Sequence, residues 1–485
     1  MSFDYDVVII GNTTEAIYAA KKAVLLQARV ALVTQTKEIY PDGNVAIYNH
    51  CLSEITNSLT RWQSNPWGIW QKTLAIPPVS LQEVKNYGDL VAEITIGDFA
   101  NLAALGVDIV YGRGEFCRLP RQALIVGNRK LTSRNYLLAM GADYQVSDRY
   151  LARSAELNCL TPKDIWEKAI DRIPHNLTIL GCSDSESLEL AQGLARSGKR
   201  VTYVTSSYDT LLPDWAIAAS RLLQAQFAAN NIEVILNAPL NDIRRLGDKT
   251  ILQVGKIVLE TEAVVFSERT HLNITGLNLE GVGVTGFMKR ISVNEKLQTK
   301  NQNIYACGEL VTQNRLSHVA RHQVDIALKN MLSFPWFKTD YRYLPNIILT
   351  QPNIASIGLS NIPSQPKKSN LYLIQQHFKT IPAARVTGMT TGWCQCIIKP
   401  DGEIVGCTIV GDGSIEIINL IALMMRQKIK LTRNPIKGLL RQDIAYVDRS
   451  YSEILDRVAI AFHQQKIQCD RGLKQRLLTW FDWRK

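Results

Sequence analysis

Apolar runs and alternations divide the chain into three patterned stretches. Residues 3–11 alternate and then run apolar through Val7, Val8, Ile9 and Ile10 to Gly11, which predicts a buried parallel strand. Ala16, Ala19, Ala20 and Ala23 recur at helical spacing over 14–27, and an apolar run over 29–33 predicts the next strand. Strand, helix and strand make a βαβ unit. Residues 177–205 repeat it, with Leu177 to Gly181, a helix through Leu188 to Ala195, and Lys199 to Val204. Two such units, about one domain's length of chain apart, predict two nucleotide-binding folds. From residue 340 the pattern changes to short strands at 346–350, 392–399 and 404–410, followed by helices. The expected class is α/β: two Rossmann-like nucleotide-binding domains plus a C-terminal α+β domain.

Composition narrows the compartment more than the chemistry. At 485 residues, 46% hydrophobic and 20% charged, the chain is too long for one core and too apolar for disorder. No apolar run reaches the roughly 18 residues of a membrane span, and no basic-then-apolar leader opens the chain. A cytoplasmic setting is expected. Nine scattered cysteines argue against a secreted disulfide framework. Cys394 and Cys396 share one strand face with no further ligand near them in sequence, so core packing is expected rather than a metal. Trp62, Trp67 and Trp70 cluster around Pro66, ahead of Pro77 and Pro78 and a helical stretch, and packing is again the expectation.

The net charge of +11 is dispersed except in residues 466–485, which carry six basic and two acidic side chains. There Leu473, Leu477 and Phe481 recur at i, i+4 and i+8 beside Trp480 and Trp483. A basic amphipathic helix suits an anionic membrane surface or a partner's groove. It equally suits a terminal helix packed on its own dimer. No nucleic-acid-binding module is visible, and no nucleic-acid partner is expected.

A dinucleotide fingerprint uses glycines for a tight turn, close phosphate approach and helix packing. In the first unit those places hold Gly11, Thr13 and Ala16, with Thr14 opening the helix and Thr34 or Gln35 where a ribose-binding acid is expected. The second keeps Gly181, appears one residue longer, and ends its next strand at Thr205 and Ser206 with neither acid nor arginine.

Further segments fall in a recognisable order. Thr299 to Glu309 ends a strand in Gly308 and Glu309; Leu316 to Ala320 starts a helix through His318; Leu138 to Ala142 holds Gly141. Thr350 to Leu359, Asp401 to Gly406 and Val410 to Gly413 follow. Collinearly from about residue 4 to 465, the chain resembles the class I pyridine nucleotide-disulfide oxidoreductases, nearest the mercuric reductase and dihydrolipoamide dehydrogenase branch. The resemblance implies an FAD domain in two parts, 1–155 and 286–338, an NAD(P)-binding-like domain at 156–285, and a dimerisation domain at 339–465 that makes a homodimer, with 466–485 as a tail beyond it. It implies FAD held by Gly11, Thr13, Thr14, Ala16, Thr34, Gly141, Gly308, Glu309 (for the family's aspartate) and His318, and NAD(P) at Gly181. His318 and His322 have the i, i+4 spacing of metal ligands, but His318 belongs to the flavin-facing helix start, so no metal is expected.

The departures are systematic. Ala46 stands at the family's first redox cysteine and Cys51 at the second; Ile55 replaces the lysine that pairs with a glutamate, here Glu189. Asp448 replaces the catalytic histidine, leaving Glu453. Cys51 and Glu453 are thus the remaining catalytic candidates. A thiolate at Cys51 needs stabilising, and His50, its neighbour on a helix, is expected to point away. The resemblance implies an FAD-binding oxidoreductase without disulfide reductase activity, its redox chemistry running through flavin, with Cys51 either participating or inert. The alternative is a non-catalytic scaffold or assembly protein that retains the fold.

Overall fold

The computed structural model describes residues 3–36, 44–63, 79–96, 99–118, 121–167, 173–206, 208–267, 269–285, 290–312, 316–361, 371–431 and 449–483. Gly43, Trp67, Trp70 and Asp448, and the side chain of Trp62, lie outside that description.

The first βαβ unit forms as the pattern predicts. Strand Tyr5–Ile10 lies at the centre of a parallel sheet in the order Ile304–Ala306, Ser133–Leu138, Tyr5–Ile10, Val30–Thr34, Asp108–Tyr111. Helix Thr14–Leu25 begins at Thr13, whose hydroxyl accepts from the Ala16 N–H at 3.2 Å and donates to the Ala139 carbonyl at 2.9 Å. Its four alanines are fully buried, so the helix lies close on the sheet and against helix Ser317–Leu332. Gln27, at φ 64°, marks the left-handed turn after it.

The second unit builds a separate parallel sheet, ordered Glu233–Ile235, Arg200–Thr205, Asn176–Gly181, Ala263–Phe266, Cys159–Leu160. The third sheet is antiparallel, in the order Asn346–Ile348, Ile354–Gly358, Ile404–Val410, Trp393–Ile398, Tyr372–His377. Helices Ser414–Arg426 and Glu453–Cys469 pack on it.

Helix Asn44–Gln63, which carries Cys51, is wedged between these bodies. It packs on helices Leu81–Ile96 and Ser185–Arg196, each of which offers a glycine at the contact. A Cβ on Gly88 would stand 2.4 Å from the Tyr48 ring, and one on Gly193 would stand 2.6 Å from the Leu52 methyl. Near its far end Arg61 pairs with Asp412 of the antiparallel domain at 3.0 Å. Helix Ser185–Arg196 also grips the start of that domain: Glu189 accepts from the Leu349 N–H at 2.8 Å, and the Gln192 amide makes two bonds to the Gln351 backbone, at 2.7 and 3.0 Å.

Beyond Cys469 the chain turns at Asp470 into helix Arg471–Trp483. Leu477 packs inward while Leu478, Phe481 and Trp483 face solvent. Residues 466–469 thus belong to the preceding helix rather than to the tail. Among the described residues no helix is long and apolar enough to cross a membrane.

Candidate functional site

A cavity of about 600 Å³ lies where all three bodies meet. That volume suits a cofactor-sized ligand. The start of helix Thr14–Leu25 forms one end, with Thr13, Thr14, Glu15 and Lys21. Gly141, Gly308 and Glu309 line its length, and Ala46, His50, Cys51, Glu189, His318 and Arg321 surround the remainder. Gly11 and Ala16 stand behind it. Gly11 adopts φ 136° and backs so closely on Ala139 that a Cβ would lie 1.9 Å from its carbonyl oxygen, so only glycine fits.

These residues fit a bound flavin along ring and ribityl chain. Helix Thr14–Leu25 directs its N-terminal N–H groups and positive dipole end at the cavity, the arrangement that receives a phosphate. Gly308, at φ 68°, receives the Gln323 side-chain oxygen on its N–H at 2.7 Å, which fixes the turn. Glu309 accepts from the Ala142 N–H at 3.1 Å and would hold a ribityl hydroxyl. His318 meets the Pro345 carbonyl at 2.7 Å; since a carbonyl only accepts, His318 Nε2 carries the proton. Burial lowers its basicity, so the ring is neutral. Thr34 is not part of the lining: it is buried, and its hydroxyl is engaged by Thr36 of its own chain.

The thiol chemistry is muted. Cys51 is 5% exposed, and burial, with Glu54 nearby, raises its pKa, so the thiol stays protonated at neutral pH. His50 does not point wholly away, since it too borders the cavity. Ala46 lines the same wall, one and a half turns before Cys51. Ile55 packs into the neighbouring core instead of supplying a cation. Glu189 is consequently a buried carboxyl with no ion pair among the described residues, and burial pushes its pKa up to about 8. Its bond from Leu349 is a signal no local pattern carried, because the two are 160 positions apart.

Glu453 and His322 lie outside the cavity lining. Glu453 opens helix Glu453–Cys469, pairs with Arg457 at 2.9 Å, and is not in the cavity lining. His318 and His322 turn to different partners, the Pro345 carbonyl and the Asp340 N–H, so they do not converge as a metal pair.

Gly181 ends its strand as expected, yet the turn after it is closed by the protein's own groups. The Tyr203 hydroxyl lies 2.1 Å from where a Gly181 Cβ would be. It accepts from the Ser183 N–H at 3.1 Å and bonds Ser187 Oγ at 2.8 Å. Asp184 caps the following helix through the Ser187 N–H at 2.7 Å. Of the backbone donors at this turn, the Ser183 and Ser187 N–H groups are already engaged, and Asp184 sets a carboxylate beside them. Sequence reading missed this closure, although Asp184 ahead of a helical run is a visible N-cap signal.

Two parallel nucleotide-binding sheets, a cavity between them and an appended antiparallel domain define an oxidoreductase of the two-nucleotide flavoprotein class. The pyridine nucleotide-disulphide oxidoreductase model matches residues 5–324, and the dimerisation-domain model of that family matches residues 344–435. The chain belongs to the pyridine nucleotide-disulphide oxidoreductase family, whose members depend on FAD and bind NAD(P), and it lacks the redox-active cysteine pair. It is 26% identical to mercuric reductase of Staphylococcus aureus over 87% of this chain and 77% of that enzyme. It is 23% identical to dihydrolipoyl dehydrogenase of Chlamydia trachomatis over 89% and 92% of the two chains. Its fold matches LpdA from Mycobacterium tuberculosis, at TM-score 0.79 and 21% identity over 94% of this chain and 99% of that one. It also matches the HOCl-induced flavoprotein disulfide reductase RclA from Escherichia coli, at TM-score 0.76 and 19% identity over the same shares.

Proposed function

We propose that this protein is a homodimeric, FAD-binding oxidoreductase that does not reduce disulfides. One observation carries the reading: Ala46 and Cys51 border the same cavity wall, so the wall that would hold a dithiol has a single, protonated thiol. FAD, when bound, supplies the capacity to take up and release electrons. Glu309, Gly308 and His318 would orient it, and the neutral carboxyl of Glu189 offers a proton beside it without an added charge. The closed turn at Gly181 favours a reductant other than NAD(P)H docked on the second fold.

The visible spectrum of protein purified with added FAD tests this. Stoichiometric oxidised-flavin bands are expected, together with no turnover of small disulfides when the flavin is reduced by dithionite or light. A colourless protein with no affinity for FAD would favour the scaffold reading instead. Disulfide turnover would overturn the loss of reductase activity.

A further inference from the structure

The antiparallel domain holds a cluster of three thiols that the flavin site does not use. Cys394 and Cys396 project from one face of strand Trp393–Ile398, and Cys396 lies in register opposite Cys407 on strand Ile404–Val410. The expectation that no further ligand sits near the pair is corrected: the third thiol arrives across the sheet, 11 residues from Cys396 in sequence. The three sulfurs form a closed triangle with edges of 3.8, 3.8 and 3.3 Å. All three side chains are buried, and their ligating atoms lie within 4.8 Å of one another.

We propose that this triangle is a binding site for a soft monovalent metal ion, copper(I). With metal–sulfur bonds of about 2.3 Å, three sulfurs around one ion stand roughly 3.8–4.0 Å apart, in tetrahedral or trigonal arrangement. Two edges have that length already, and the third needs to open slightly. The surrounding core narrows the choice of ion. It is built from Ile, Leu, Val, Ala, Phe and Met side chains. Structural zinc takes four ligands, and iron–sulfur clusters take four cysteines. Among the described residues this cluster offers three cysteine sulfurs. Thiolates select copper(I) among soft ions. Each cysteine ligates as its thiolate, so binding through all three sulfurs exchanges three thiol protons for the ion, and the protons pass to solvent. The copper stays in its +1 state and no electron moves.

The test is an anaerobic titration of the full-length Cys51→Ser protein with copper(I), against a chromogenic chelator as competitor. This background removes Cys51 as a rival ligand. One retained ion per chain is expected, with a sulfur-only coordination shell by X-ray absorption. Affinity should fall at least tenfold in Cys396→Val and in Cys407→Val, which keep an apolar strand residue. Failure to retain copper through desalting, or equal retention by both valine variants, overturns the proposal. Should those variants not fold, anomalous diffraction at the copper edge decides on the parent protein. A peak between the three sulfurs supports the site, and a peak elsewhere or none removes it.

Discussion

At Cys51 and Glu189, burial decides what two inherited groups can still do. A thiol needs a nearby cation or a helix N-terminus to ionise near neutral pH, and Cys51 has burial and Glu54 instead. Cys51→Ser should therefore leave the rate and extent of flavin photoreduction unchanged, within about twofold, by anaerobic spectroscopy; a larger loss would restore a redox role to the thiol. Glu189 behaves as a buried acid whose folded pKa, about 8, lies above the ordinary value of 4.5. Its stabilising contribution is complete below the ordinary value and is lost as pH rises towards about 8, because the native state holds the proton the unfolded state releases. Wild type should thus lose melting temperature over that window relative to Glu189→Gln, with the two curves converging in acid. Parallel curves would show that Glu189 ionises normally. The sequence disclosed the missing lysine at Ile55 but not the consequence, which depends on how completely helix Ser185–Arg196 is enclosed.

At the level of elements, the helix bearing Cys51 keeps its place through two glycines on its neighbours. Gly88→Ala would push the Tyr48 ring, which already packs on Trp166 at a centroid separation of 5.3 Å and bonds Asp89. Overpacking costs about 1–3 kcal/mol and better helix propensity returns up to about 1, so a net loss of about 1–2 kcal/mol is expected in a urea melt. A neutral result would mean that the helix contact relaxes freely. The elements themselves were partly legible in sequence. Alanine periodicity placed helix Thr14–Leu25, and apolar runs placed the two strands of each βαβ unit and three of the five strands of the antiparallel sheet, while the remaining strands of both parallel sheets were not read from such runs. The long-range meetings of these elements were not legible. Tyr203 beneath Gly181, Leu349 on Glu189 and Cys407 beside Cys396 each join residues whose proximity is created only by the packed fold.

Across the whole molecule, the matched dimerisation domain argues for a pair of chains. Sedimentation should give a mass twice the chain's 54.4 kDa. A monomer throughout the micromolar range would refute the pairing.

The phenol under Gly181 has a wider consequence. A ligand that dissociates stabilises its host by an amount that grows with the logarithm of its concentration, by mass action. A side chain tethered in the same place is always present, at an effective concentration that dilution cannot change. The space beneath Gly181 therefore has a permanent occupant, the buried Tyr203 phenol. The melting point of the second nucleotide fold should ignore millimolar NADH and NADPH while FAD raises that of the protein, as a thermal-shift series would register.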